Sequence, residues 1–156
     1  MANVKTILRN TNTKVSAKLA FTTSGDLTIA VATDVIDAAK EVLTSGGTPT
    51  VNIVAMWWSG AAGEVLTVTR NSVIIVTLPC GSPGSFDFED VHFVDPIGNT
   101  SDIVVSSTGL AQLYITLRKV TGYSSFVENA TYGAYDDPTK LGARTDISGS
   151  PDYIVP

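Results

Sequence analysis

The sequence predicts an all-β domain, an antiparallel β-sandwich of jelly-roll type, followed by an extended C-terminal arm. Three observations carry that prediction. Residues 13–21, TKVSAKLAF, alternate strictly, with Val15, Ala17, Leu19 and Phe21 on one side and Lys14, Ser16 and Lys18 on the other. AQLYITLR does the same, setting Ala111, Leu113, Ile115 and Leu117 against Gln112, Tyr114, Thr116 and Arg118. Successive side chains leave opposite faces of a strand, so a period of two marks a half-buried antiparallel strand. After about Tyr123 the pattern stops, and glycine, proline and scattered aromatics take over.

Further elements follow in chain order. Val4–Arg9 and Thr13–Phe21 are strands joined by the turn NTNT, and Leu27–Val31 resumes after Ser24-Gly25-Asp26. Ala38–Leu43 is compatible with one short helix, with Ile36, Ala39 and Leu43 at helical spacing and Thr33 or Asp34 as its cap, or with an extended crossing segment. Thr50–Trp58, Glu64–Arg70 and Ser72–Leu78 come next. VIIV at 73–76 is apolar on both faces, as a central strand covered on both sides would be, and Pro79 should end it. Phe86 and Phe88 alternate with Asp87 and Glu89, and Ile103–Val105 and Ala111–Val120 complete the set. Strands this short and this closely spaced, without recurring crossover helices, suit a sandwich, in which two half-apolar sheets hide their inner faces against each other. The domain boundaries expected are 1–120 for the sandwich and 121–156 for the arm.

A chain of 156 residues makes one domain with a real core. Its single cysteine, Cys80, excludes an intrachain disulfide. No apolar leader opens the sequence and no stretch is long enough to span a bilayer, so no membrane partner is expected. The formal net charge of −5 argues against a nucleic-acid surface. Charge is unevenly placed, however. Lys5, Arg9, Lys14 and Lys18 all precede the first carboxylate, while Asp87, Glu89, Asp90, Asp95 and Asp102 follow one another with no Lys or Arg between them. Beyond an ordinary solvated surface, that distribution allows a basic N-terminal region to meet an acidic patch on a neighbouring copy.

Catalytic constellations are weak. His92, the only histidine, forms D-x-H-x-x-D with Asp90 and Asp95, but lacks the second histidine or cysteine cluster a transition-metal site needs. A strand position between Val91 and Phe93 is the simpler reading, and the acidic run lacks the glycine and glutamate of a calcium-binding EF-hand loop. Cys80 has no base at recognisable spacing. Neither the nucleophile-elbow motif nor a nucleotide-binding glycine loop occurs. No cofactor, no metal and no enzymatic activity are expected.

Contact residues are easier to nominate. Trp57 and Trp58 are adjacent, so on a strand one enters the core and the other faces out, and the sequence leaves open which. The tail aromatics Tyr123, Tyr132 and Tyr135 suit an arm pinned to a partner, with folding back or disorder as alternatives. Lys5 and Arg9 are candidates for pairing with an acidic partner, and the strand near 4–9 for adding to a neighbour's sheet.

KTILRN at 5–10, VNIVAMWWSG at 51–60, VTRNSVIIVTL at 68–78, SDIVVS at 101–106, LRKVTGY at 117–123 and YGAYDDPT at 132–139 together resemble virion structural proteins of tailed bacteriophages, particularly those of marine cyanobacterial hosts. The resemblance implies a non-enzymatic virion component, made in the host cytoplasm. Its role would be capsid decoration, with the major capsid protein or other virion proteins as partners and a homo-oligomer or lattice-associated state. A neck or tail ring component and a carbohydrate-binding module are the alternatives.

Overall fold

The computed structural model describes residues 1–39, 41–44, 48–90 and 100–125. Among them lie β1 (Val4–Asn10), β2 (Lys14–Phe21), β3 (Gly25–Ile29), β4 (Glu41–Leu43), β5 (Thr50–Gly60), β6 (Val65–Arg70), β7 (Val73–Pro79), β8 (Gly84–Asp87), β9 (Ile103–Ser107), β10 (Ala111–Thr121) and β11 (Tyr123–Ser125). The fold is an all-β, jelly-roll-like sandwich, as the alternation predicts. One sheet has five strands in the order β1-β2-β10-β5-β8, the other four in the order β3-β9-β6-β7, and β4 pairs with β11. Neighbours in both main sheets run antiparallel. The chain divides into two compact units, Met1–Asp37 with Leu43–Tyr123 and Ala38–Val42 with Ser124–Pro156, and both main sheets belong to the first.

The core is what the period of two requires. Val15, Ala17, Leu19 and Phe21 of β2 and Leu113, Ile115 and Leu117 of β10 are buried, and Val51, Ile53 and Met56 of β5 join them. These side chains form one cluster with Leu66 and Val68 of β6, Ile103 and Val105 of β9, Ile29 of β3 and Leu78 of β7. In-register pairing of β10 with β2, from Ala111 opposite Phe21 to Leu117 opposite Val15, keeps every inward residue on one face.

Of the two alternatives for 38–43 the structure takes the extended one, with Glu41–Leu43 a strand. A segment this short cannot repay helix nucleation by itself, and as a strand it hydrogen-bonds to β11. VIIV at 73–76 is not a central strand. It belongs to β7 at the margin of the four-stranded sheet, where Val73 and Ile74 are 43% and 60% exposed. A continuous apolar run names no face, and the neighbouring turn decides the matter. Asn71 and Ser72 both have positive φ, 49° and 65°, the geometry of a two-residue hairpin that folds β7 straight back along β6.

His92 and Asp95 lie outside the described residues, as does the arm from 126 onward with Tyr132 and Tyr135.

Gly84 is required where it stands. It sits opposite Trp58 in the β5–β8 ladder, and an added Cβ would fall 2.4 Å from the indole. Gly84→Ala is therefore expected to lower stability by about 1–3 kcal/mol in urea unfolding. Ser85→Ala, on the same strand but exposed, should change it by less than about 0.5 kcal/mol.

Candidate interaction surface on the five-stranded sheet

With the inner face sealed, the outer face of the five-stranded sheet carries Trp57, Tyr114 and several charged side chains in register. Met56 points inward and is buried, which sends Trp57 outward, 39% exposed. Trp58 turns back to the core edge, half-buried, and donates Nε1–H to the Pro79 carbonyl at 3.0 Å. That resolves the tryptophan pair: Trp57 is the outward residue, and Trp58 links β5 to β7.

Trp57 is held by its neighbours. Its ring meets Tyr114 edge-on, centroids 5.3 Å apart and planes at 65°, and Lys18 Nζ lies 5.6 Å from the Tyr114 centroid. The ladders align Lys18, Tyr114, Trp57 and Ser85 as one row across β2, β10, β5 and β8. The next row runs Arg9, Ser16, Thr116, Ala55 and Asp87, with Ser16 Oγ and Thr116 Oγ1 3.3 Å apart.

Arg9 reaches this face because of a bulge. Ile7 pairs with Ala17 and Arg9 with Ser16, leaving Leu8 as the extra residue. Strict alternation would have placed Arg9 with Lys5 and Ile7 on the inner side. One inserted residue re-aims it outward. Asn10 then returns inward, opposite Val15, where its Nδ2 donates to the Val35 carbonyl and its Oδ1 accepts from Lys119 Nζ.

Charge divides across the sheet. Arg9, Lys14 and Lys18 occupy the β1–β2 margin, and Asp87, Glu89 and Asp90 the β8 margin. Three strand spacings, about 14 Å, separate β2 from β8. The Asp87 carboxylate accepts the backbone N–H groups of Glu89 and Asp90 at 2.9 and 3.2 Å, which fixes the acidic turn. Glu89 is engaged by Arg118 in an ion pair at the surface.

Other nominated residues are committed within the chain. Lys5 Nζ donates to the Thr28 carbonyl at 2.7 Å and pairs with Asp34, whose Oδ2 also accepts the Ala30 N–H at 2.7 Å. This ties β1 to the end of β3. Tyr123 packs against the core and donates its hydroxyl to the Val31 carbonyl at 2.9 Å, with Lys119 Nζ 5.4 Å from its ring centroid.

Arg70, not singled out in the sequence as a functional or core residue, is fully buried at the end of β6. The signal was present: Leu66, Val68 and Arg70 share a parity, so Arg70 points inward with them. No three His, Cys, Asp or Glu side chains among the described residues converge on a possible metal position. No helix among them is long and apolar enough to cross a membrane.

The thiol of Cys80 is pushed up from its ordinary value, first by burial and then by the nearby Glu64 carboxylate, with a backbone hydrogen bond at Leu66 opposing. Only the thiolate is a good nucleophile, so the native thiol should react slowly at neutral pH. Its alkylation by iodoacetamide should rise only at a pH above that for free cysteine, and denaturant should restore the ordinary profile. A native profile at or below that of free cysteine would contradict this.

No protein-family model matches the chain, and no curated protein matches it. Among solved structures it is similar to an uncharacterized conserved protein with a double-stranded β-helix domain from Klebsiella pneumoniae subsp. pneumoniae MGH 78578, at 10% identity over 80% of this chain and 84% of that one, TM-score 0.37. It is also similar to an RmlC-like cupin protein from Desulfovibrio desulfuricans, at 8% identity over 75% and 82% of the two chains, TM-score 0.37. A third is the Cnp3 cupin domain of Schizosaccharomyces pombe, at 12% identity over 88% and 70%, TM-score 0.33. Likenesses this distant assign neither a family nor an activity. They do correct the resemblance drawn from sequence: the similar structures are described as cupin and double-stranded β-helix proteins, not as phage virion proteins. The capsid-decoration reading and its alternatives, a neck or tail ring and a carbohydrate-binding module, are withdrawn with it. The quoted segments that lie among the described residues are strand and turn sequences, and such sequences recur wherever a half-buried ladder and a tight hairpin are needed.

Proposed function

We propose that the chain is a non-catalytic assembly protein whose copies associate through opposite margins of the five-stranded sheet. The observation that carries this reading is the segregation of charge, with exposed Arg9 and Lys14 and half-buried Lys18 at the β1–β2 side, and exposed Asp87 and Asp90 beside the Arg118-paired Glu89 at the β8 side. A basic margin on one copy fits the acidic margin of the next. Such a contact joins two different patches, so it is head-to-tail and builds a closed ring or an open filament. Complementary charge sets orientation and encounter rate, and hydrophobic and aromatic contacts supply the lasting affinity. Val4 and Leu8 on β1, both about half exposed, and the Trp57–Tyr114 pair are the apolar groups available for that.

Exposed charges are screened by salt within about 10 Å at 0.1 M, so association should weaken as ionic strength rises. In sedimentation velocity at low salt, the double variant Arg9→Glu, Lys14→Glu is expected to associate at least about tenfold more weakly than the native chain. The variant Glu89→Lys, Asp90→Lys should do the same, and mixing the two should restore association. A native chain that sediments as a monomer at every concentration, or charge-reversed chains that assemble unchanged, would overturn the reading.

A further inference from the structure

Beneath the β1–β2 turn, on the same outer face, lies a cleft of about 220 Å³ lined by Arg9, Thr11, Thr13, Lys14, Ser16 and Thr116. We infer that this cleft is a binding site for a tetrahedral oxyanion, phosphate or sulfate, either free or as the terminal group of an ester.

The lining chemistry points one way. Each of the six side chains can donate a hydrogen bond, and none is a carboxylate. Arg9 brings a planar fork that matches two oxyanion oxygens, and Lys14 brings a compact charge. Ser16 Oγ and Thr116 Oγ1 share one hydrogen bond at 3.3 Å. One of the two therefore keeps a hydrogen to offer a ligand. Thr11 plays a different part. Its hydroxyl donates to the Lys14 carbonyl and accepts from the Lys14 N–H, both at 3.0 Å, which closes the turn and fixes where Lys14 starts. The volume equals that of about seven waters, enough for an oxyanion and part of its hydration or ester group.

Geometry gives a second, independent support. Arg9, Ser16 and Thr116 stand in one cross-strand row on β1, β2 and β10, so three different strands hold the donors at fixed spacing. Arg9 is in that row only through the bulge at Leu8. Charges on edge strands commonly serve solubility. A solubilising charge has no need to share a cleft with a second cation and four hydroxyls.

The test is an NMR titration of the dilute full-length chain with inorganic phosphate, sodium chloride being withdrawn to hold ionic strength constant. Saturable shifts confined to Arg9, residues 11–16 and Thr116 are expected, with affinity at least about tenfold weaker in Arg9→Gln and in Lys14→Gln, as losing one charge-assisted contact implies. Both positions are exposed, so circular dichroism should show both variants folded. Shifts that grow linearly, or that spread over cations elsewhere, would overturn the site, as would unchanged binding by both variants. Sulfate and glycerol phosphate arms separate the sources: tighter binding of the ester assigns the terminal-group form, and tighter binding of inorganic phosphate or sulfate the free ion. Arg9 and Lys14 also serve the assembly contact, so bound phosphate should weaken association at constant ionic strength. A monomer that binds phosphate would remove the assembly reading and leave the site. Assembly without phosphate binding would do the reverse.

Discussion

Between the two sheets, Arg70 donates through Nε and Nη2 to the Ser101 carbonyl at 3.0 and 2.6 Å, and through Nη1 to the Val51 carbonyl at 2.9 Å. The side chain has no solvent exposure. A guanidinium in such a place is costly unless its donors are met, so its geometry constrains everything it touches. Through it β6 of one sheet is held to β5 of the other and to the residues leading into β9. Lysine, with a single point charge, could not reproduce the fork. Arg70 also opens the β6–β7 hairpin, paired with Val73. The buried charge therefore fixes sheet spacing and hairpin position together.

Once the inner faces are locked in this way, the outer face follows from register. The β10 ladders set Lys18 and Trp57 on either side of Tyr114. A bulge at Val54 in β5 lets both Ile53 and Val54 bury, and switches the inward parity from odd to even residues, which turns Trp57 outward. The bulge at Leu8 does the corresponding work for Arg9. Two single-residue insertions thus determine which aromatic and which cation meet solvent. The charged margins and the hydroxyl-lined cleft both rest on that parity.

Most of the fold was legible because period two is a direct record of burial. β2 and β10 read correctly to within a residue at each end, down to the inward members. Periodicity names the residues that share a face without saying which face is covered or which strand lies alongside. For that reason the sequence sets VIIV at a sheet centre where the structure has an edge strand, and only the burial of Met56 decides between the two tryptophans. Bulges leave no trace in alternation, so the outward turn of Arg9 was invisible. Arg70 was legible by parity, but a charged residue beside a turn invites the surface reading. Of the nominated contact residues, Trp57 and Arg9 stand on the outer face, whereas Lys5 and Tyr123 satisfy partners within their own chain. No local pattern encodes a salt bridge between residues as far apart as Lys5 and Asp34.

Zero-length carbodiimide cross-linking of mixed light and heavy isotopic copies at low salt addresses the assembly claim most directly, because it joins only amines and carboxylates already in contact. The Lys5–Asp34 pair, in contact within one copy, supplies an internal control. Mixed-isotope products joining Lys14 or Lys18 of one copy to Asp87, Glu89 or Asp90 of another are the predicted result. A reaction that yields the Lys5–Asp34 product with no mixed-isotope link, or that joins copies through other residues, would contradict it.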